Sequence, residues 1–212
     1  MPAAAPQPAA LLSLALDRAV APPDDATSRR VLDAALALAA ASGLRNLTMD
    51  DAARRAGVGR MTVYRRFGDR DRLVEALSVR ECRRCLAELD AAIDMDAPIE
   101  EQVAEGLVTS LRLAREHPLL NRLARLEPEA VLAALTGDGS AVFAAARAFV
   151  ARRLRESQQA GVVGELEVEV AAELLVRLGF SFVLIQDTAL PLGEDERMRD
   201  LARRFVAPAL AA

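Results

Sequence analysis

The stretch GVGRMTVYRRFGDRDRL, from Gly57 to Leu73, carries five arginines, the only tyrosine of the chain and two aspartates. Guanidinium and hydroxyl groups at this density suit a polyanion. Arginine can bond the O6 and N7 edge of guanine with two parallel hydrogen bonds, and threonine or tyrosine hydroxyls donate to phosphate. Other chemistries find little material. With His117 as the single histidine there is no Ser/His/Asp set, no phosphate loop and no group that completes a four-ligand zinc site. No catalytic residue, no metal site and no cofactor are therefore expected. His117 stands before Pro118 and is expected to end a helix at the surface. Cys82 and Cys85, in "CRRC", share one side of a helix. Buried small residues are the plain reading of that pair, and a thiol switch is the sharper one.

The charge of the stretch stands out against the rest of the chain. Net charge is −4 over 212 residues, yet Ser28 to Arg84 holds 13 Arg against 7 acidic residues, a net +6. Cys85 to Ala212 holds 13 Arg against 21 acidic residues, a net −8. All 27 basic residues are arginine. A basic amino-terminal part on an acidic body suggests a polyanion-binding module joined to something else. A run of charge can equally coat a solvated helix, with Asp69 and Asp71 as partners, so placement has to decide between the two.

The elements that would place these side chains are all helical. Hydrophobic content is 52% and aromatic content 3%, so the core must be Ala, Leu and Val, and the strong helix formers dominate. Residues 1–27 read as an Ala/Pro-rich disordered tail. A helix follows from Arg29 to Ser42, ended by Gly43, and a short one from Thr48 to Ala56. Arg60 to Phe67 forms the next, and Asp69 opens a long helix to Ile93. Beyond Pro98 come Ile99 to about Glu116, Leu119 to Arg125 and Pro128 to Leu135. The loop Thr136 to Ser140 leads to a helix ending near Gly161, then to Glu165–Gln186 and a last helix from Asp195. No strand is expected. No segment has the roughly 18 consecutive apolar residues of a membrane span, and no basic residue precedes the apolar patch Ala9 to Leu16 as a signal peptide requires. The expectation is a cytoplasmic protein without membrane contact.

Thr48 to Phe67 reads as a helix-turn-helix. Thr48 with Asp51 fits a capping box, Ala53 allows close approach, Gly57 permits the left-handed turn, and Val63 and Phe67 form an inner face. On a helical wheel Met61 and Arg65 then point outward, flanked by Thr62 and Tyr64. Arg60 sits in the first turn, from which base edges are usually reached. Arg66 and Arg70 lie at the margin. The candidate DNA contacts are Thr48, Arg60, Met61, Thr62, Tyr64, Arg65, Arg66 and Arg70.

The segment LTMDDAARRAGVGRMTVYRRFGDRDRLVEAL, Leu47 to Leu77, resembles the DNA-binding region of TetR-family transcriptional regulators. The pattern is T-x-x-x-x-A-x-x-A-G-V, then T-V-Y-x-x-F and a basic residue three positions after the Phe. The helix ending in "ASGL" and the carboxy-terminal "DTALPLGEDERMRDLARRF" are also similar. The chain departs from the family's common residues at Gly59 (often Ser), Arg66 (often His) and Arg70 (often Lys). The resemblance implies an all-α fold, with a helix-turn-helix three-helix bundle at 28–74 and a larger helical ligand-binding and dimerisation domain at 75–212. It further implies a homodimer on double-stranded palindromic DNA, acting as a repressor released by a small-molecule effector. An effector-independent DNA-binding protein of the same fold is the alternative. Leu107, Leu111, Phe143 and Arg177 would line the ligand pocket, with Arg177 either paired with an acid in the core or turned to an anionic ligand. A four-helix bundle of the last two long helices would make the dimer, through Leu174, Leu178, Phe182, Ile185, Met198, Leu201 and Phe205.

Overall fold

The computed structural model describes residues 25–126, 141–185 and 188–210, and for residues 141 and 142 the backbone alone. The expected tail up to residue 24, the helix Pro128 to Leu135 and the loop Thr136 to Ser140 lie outside the described residues. Among those described there are helices and turns and no strand. None of the helices is long and apolar enough to cross a membrane.

Helix α1 runs from Ala26 to Ser42. It begins three residues before the expected Arg29 because Asp25 caps it: the carboxylate accepts from the N–H groups of Thr27 and Ser28 at 2.9 and 3.1 Å. A single tight turn, Leu44–Asn46, leads to α2, Met49–Ala56, then α3, Arg60–Phe67, and α4, Arg70–Ala92. Helix α5 is Ile99–Glu116 and α6 is Pro118–Leu126. Helix α7, Ala141–Gln159, is followed by α8, Val168–Leu184, and α9, Asp195–Leu201. Beyond Leu201 the last helix is no longer regular. It widens into a π turn at Ala202–Val206 and tightens over Ala207–Leu210. Pro208 accounts for this, since it has no N–H to donate and its ring collides with the carbonyl four residues back in a regular helix.

Packing divides the described chain into two compact units, one of residues 25–84 with 117–126, the other of 85–116 with 143–210. In the first, Val31, Leu32, Ala35, Leu47, Val63, Phe67, Leu73 and Leu77 form one buried cluster, to which Leu119 and Leu123 of α6 are added. This unit therefore takes in α6 and more of α4 than the motif-based division at 74/75. In the second, one cluster is built on Ile99, Leu154, Ala172 and Leu210 and another on Val108, Leu111, Phe182 and Met198. Helix α5 is also tied to the last helix by three ion pairs, Glu101–Arg203, Glu105–Arg199 and Arg115–Asp195, at 2.5–2.8 Å.

His117 corrects an expectation. It does stand between two helices, but it is 9% exposed rather than at the surface. Its Nε2 lies 2.9 Å from Glu81 Oε2, and its Nδ1 accepts from Leu120 N–H at 3.3 Å, capping α6. The buried Glu81 also accepts from Arg80 at 2.7 Å. Burial by itself would raise the Glu81 pKa, but the bonds from His117 and Arg80 and their charges outweigh it and hold it below the ordinary glutamate value of 4.5. A depressed folded-state pKa gives stability that is whole above the unfolded value and is lost as pH falls through the folded one. Glu81→Gln is accordingly expected to flatten the loss of stability between about pH 4.5 and more acid conditions. Denaturant titrations of both proteins at stepped pH read this directly, and parallel acid limbs would refute the role of Glu81.

Candidate nucleic-acid interface

The turn between α2 and α3 is fixed by local hydrogen bonding. Gly57 has φ 63° and ψ 39°, a left-handed conformation that costs a residue without a Cβ little. Its N–H reaches the Arg54 carbonyl at 3.2 Å and the Val58 N–H reaches Ala53 at 3.0 Å, a Schellman closure. Arg30 of α1 completes it, donating to the Ala56 carbonyl at 2.5 Å. At the other end of α2, Thr48 caps the helix by accepting from Asp51 N–H at 3.1 Å. The return bond of a capping box is altered: the Asp51 carboxylate takes the Thr48 hydroxyl at 2.6 Å. Thr48 thus stands exposed at the start of α2 with its hydroxyl engaged within the helix cap. Helix α3 starts at Gly59 with no side-chain cap at all.

Helix α3 buries Val63 and Phe67 and presents its opposite side to solvent. Met61 is 77% exposed, and Arg60 and Arg65 are exposed with it. Thr62 and Tyr64 are half-buried flanks of this face, Tyr64 resting partly on the core. Arg60 Nε pairs with Asp50 Oδ1 at 2.8 Å, and its guanidinium lies 5.2 Å from the Tyr64 ring centre. The bond to Tyr64 first, then the Asp50 carboxylate, hold Arg60 still more firmly protonated than usual.

The two marginal arginines sit differently. Arg66 turns back to α1, where it pairs with Asp25 and donates to Ser28 Oγ at 3.0 Å. Arg70 closes the turn before α2, donating to the carbonyls of Leu47 at 3.0 Å and Leu44 at 2.7 Å. Arg66 and Arg70 thus reach acceptors of α1 and of the turn before α2, and the outward face itself is made of Arg60, Met61, Thr62, Tyr64 and Arg65. Sequence reading missed Asp50. Its position one turn ahead of Arg54 on a helix of unknown crossing angle gave no sign of its partner.

Of the four residues expected around a ligand, the two clefts described below take in Leu111. Leu107 and Leu111 pack with Val108 and Phe182. Phe143 stacks on Phe180 at 6.0 Å, and Arg177 lies over the Phe143 ring at 5.3 Å. Arg177 is 65% exposed and paired with Glu173, one turn back on the same helix, at 2.5 Å. Leu111 does line a cleft of about 260 Å³, together with Arg115, Phe182, Val183, Leu190 and Leu192. Among the described residues no group of three or more His, Cys, Asp and Glu could hold a metal ion. Burial pushes the Cys82 thiol above its ordinary pKa against the pull of Arg83, which lowers its thiolate fraction and hence its reactivity.

Two family models cover most of the chain. Residues 31–77 match the model described as bacterial regulatory proteins, tetR family. Residues 98–205 match that of the bacterial tetracyclin repressor C-terminal domain. The chain belongs to the TetR family. An HTH-type transcriptional regulator of Mycobacterium tuberculosis is 28% identical over 180 residues, covering 84% of this chain and 83% of that protein. Another from the same organism, AlkX, is 26% identical over 175 residues, 82% and 80% of the two chains. Among solved structures, Salmonella enterica GusR superposes with a TM-score of 0.66 at 19% identity, covering 88% of this chain and 96% of its own. The TetR-family repressor AlkX of Dietzia gives 0.61 at 24% identity, covering 88% and 95%. These two likenesses concern the fold. As a TetR-family member the chain is a DNA-binding transcription regulator and not an enzyme.

Of the residues expected at a TetR-type dimer face, three stand out to solvent in the single chain: Leu174 at 62%, Ile185 at 59% and Phe205 at 72%. Leu178 and Leu201 are half-buried, whereas Phe182 and Met198 are buried already within one chain. Leu174, Leu178 and Phe205 line an apolar groove of about 430 Å³ between α8 and the last turns, with Val170 and Leu175.

Proposed function

We propose that this regulator is a homodimeric repressor that binds a palindromic operator through α3 and releases it when a small molecule binds the second unit. The observation that carries the reading is the outward face of α3. Arg60, Met61 and Arg65 are exposed there on a helix anchored from behind by Val63 and Phe67. Guanidinium groups on the first turns of such a helix suit base edges in the major groove, and two copies about 34 Å apart suit half-sites one turn apart. The exposed groove along Leu174 and Phe205 supports pairing with a second copy. The cleft beside Leu111 and Phe182, where Arg115 and Thr188 join the apolar side chains, is the proposed place for an effector. A regulator of this kind acts where the DNA is, in the cytoplasm.

Arg65 offers the test. It is exposed, on the side of α3 opposite the buried Val63 and Phe67, so Arg65→Ala is expected to leave stability within about 0.5 kcal/mol. Binding to duplexes selected from genomic fragments should fall about tenfold or more, since one good arginine contact is worth about 1–3 kcal/mol. Fluorescence anisotropy at low salt measures it. An unchanged affinity would rule out α3 as the reading helix.

A further inference from the structure

On the exposed face of α3, Arg60 is held by a side chain of another helix. Its Nε–H faces Asp50 Oδ1 at 2.8 Å, and its Nη2 lies 3.4 Å from the Tyr64 hydroxyl. The Tyr64 ring underlies the guanidinium at 5.2 Å, which restricts the plane it can occupy. Asp50 belongs to the first turn of α2, where the neighbouring Asp51 is already taken by Thr48 and Arg54. Asp50 and Arg60 are 51% and 63% exposed, so the pair adds little to stability. Its consequence lies in what it leaves open. With Nε–H on Asp50 and one Nη2 hydrogen toward the Tyr64 hydroxyl, Nη1 and the second Nη2 hydrogen remain, and together they form the edge that meets guanine O6 and N7 with two parallel bonds.

A free guanidinium on a DNA-facing helix is drawn first to phosphate, which is present at every step of any sequence and carries no sequence information. For Arg60 to grip a phosphate, it must either give up Asp50 or bring the phosphate toward that carboxylate. Both outcomes oppose non-specific binding more than base reading, because a base edge carries no net charge. We propose that Asp50 is a specificity-determining positioning residue. It holds Arg60 in a base-reading pose and withholds it from the phosphate backbone. This inference rests on α3 being the reading helix.

The experiment compares the full-length wild type, Asp50→Asn, Arg60→Ala and the double variant. The probes are a duplex selected by the wild type from a random pool and a 30-base-pair duplex of scrambled sequence. Asp50→Asn is expected to bind the scrambled duplex about tenfold more tightly, a gain of about 1.4 kcal/mol. The ratio of selected to scrambled affinity should fall by a similar factor. The salt dependence on the scrambled duplex should steepen by about one unit, for one added phosphate contact. In the Arg60→Ala background the same change should leave the ratio within about twofold, because the group that Asp50 governs is gone. A ratio unchanged by Asp50→Asn overturns the proposal, as does an equal fall in both backgrounds. A wild type that does not distinguish the two duplexes overturns the reading of α3 itself, and this inference with it. Should Asp50→Asn fold poorly, the free wild type still decides: its Arg60 Nε–H should exchange with solvent more slowly than that of Arg65, and equal rates refute the pairing.

Discussion

Phe67→Ala is expected to unfold the amino-terminal unit at temperatures where the wild type is intact. Phe67 is 5% exposed and belongs to the single cluster that joins α1, α2, α3, α4 and α6. Truncating a buried phenylalanine removes its transfer energy and leaves a void, together about 3–5 kcal/mol. A whole domain is stable by only about 5–15 kcal/mol. The loss should lower the melting of this unit by at least about 10 °C and abolish DNA binding below that point. Circular dichroism and differential scanning calorimetry read the transition. Met61→Ala is the matched control. Met61 lies on the opposite, exposed side of the same helix, so its removal should leave melting unchanged within about 0.5 kcal/mol while altering only DNA affinity. Equal melting temperatures for Phe67→Ala and wild type would mean that α3 is not anchored as described.

The second large effect concerns assembly. Leu174→Glu with Phe205→Glu is expected to turn a dimer into a monomer at micromolar concentration and to weaken operator binding at least about a hundredfold. Both side chains stand out to solvent along one apolar groove. Burying a Leu or Phe is worth about 1.5–3 kcal/mol, and a two-fold interface counts each residue twice. A carboxylate in their place would have to be desolvated without a partner. A monomer then engages one half-site and forfeits the linked second contact, worth about 10²–10⁴ in affinity. Light scattering gives the mass and anisotropy the affinity. A double variant that stays dimeric places the interface elsewhere; a monomer with full operator affinity removes the need for two copies.

Much of the unit that holds α1 to α4 was legible in the sequence. Helix α3 has the bounds expected for it, Arg60 to Phe67, and the turn at Gly57 has the left-handed geometry expected. The outward placement of Met61 and Arg65 follows from burying Val63 and Phe67. All of these are decided within a dozen residues, by helical periodicity, by capping and by the freedom of glycine. The membership in the TetR family rests on the same local pattern, extended by the match to residues 98–205.

What the tertiary structure alone decided is where the long and ionisable side chains go. Arg66 bonds Asp25 and Ser28, 41 and 38 residues away, and Arg70 bonds the carbonyls of Leu44 and Leu47. His117 is buried against Glu81 instead of lying at the surface, and Arg60 is claimed by Asp50. An arginine has four flexible torsions, so a wheel fixes the direction of its Cβ and leaves its charged end to whichever acceptor packing brings within reach. Phe182 and Met198 teach the same lesson for the apolar set, since one chain already buries them while Leu174 and Phe205 stay in water. Periodicity reports that a face is apolar, and only the packing of distant segments settles which part of that face its own chain covers.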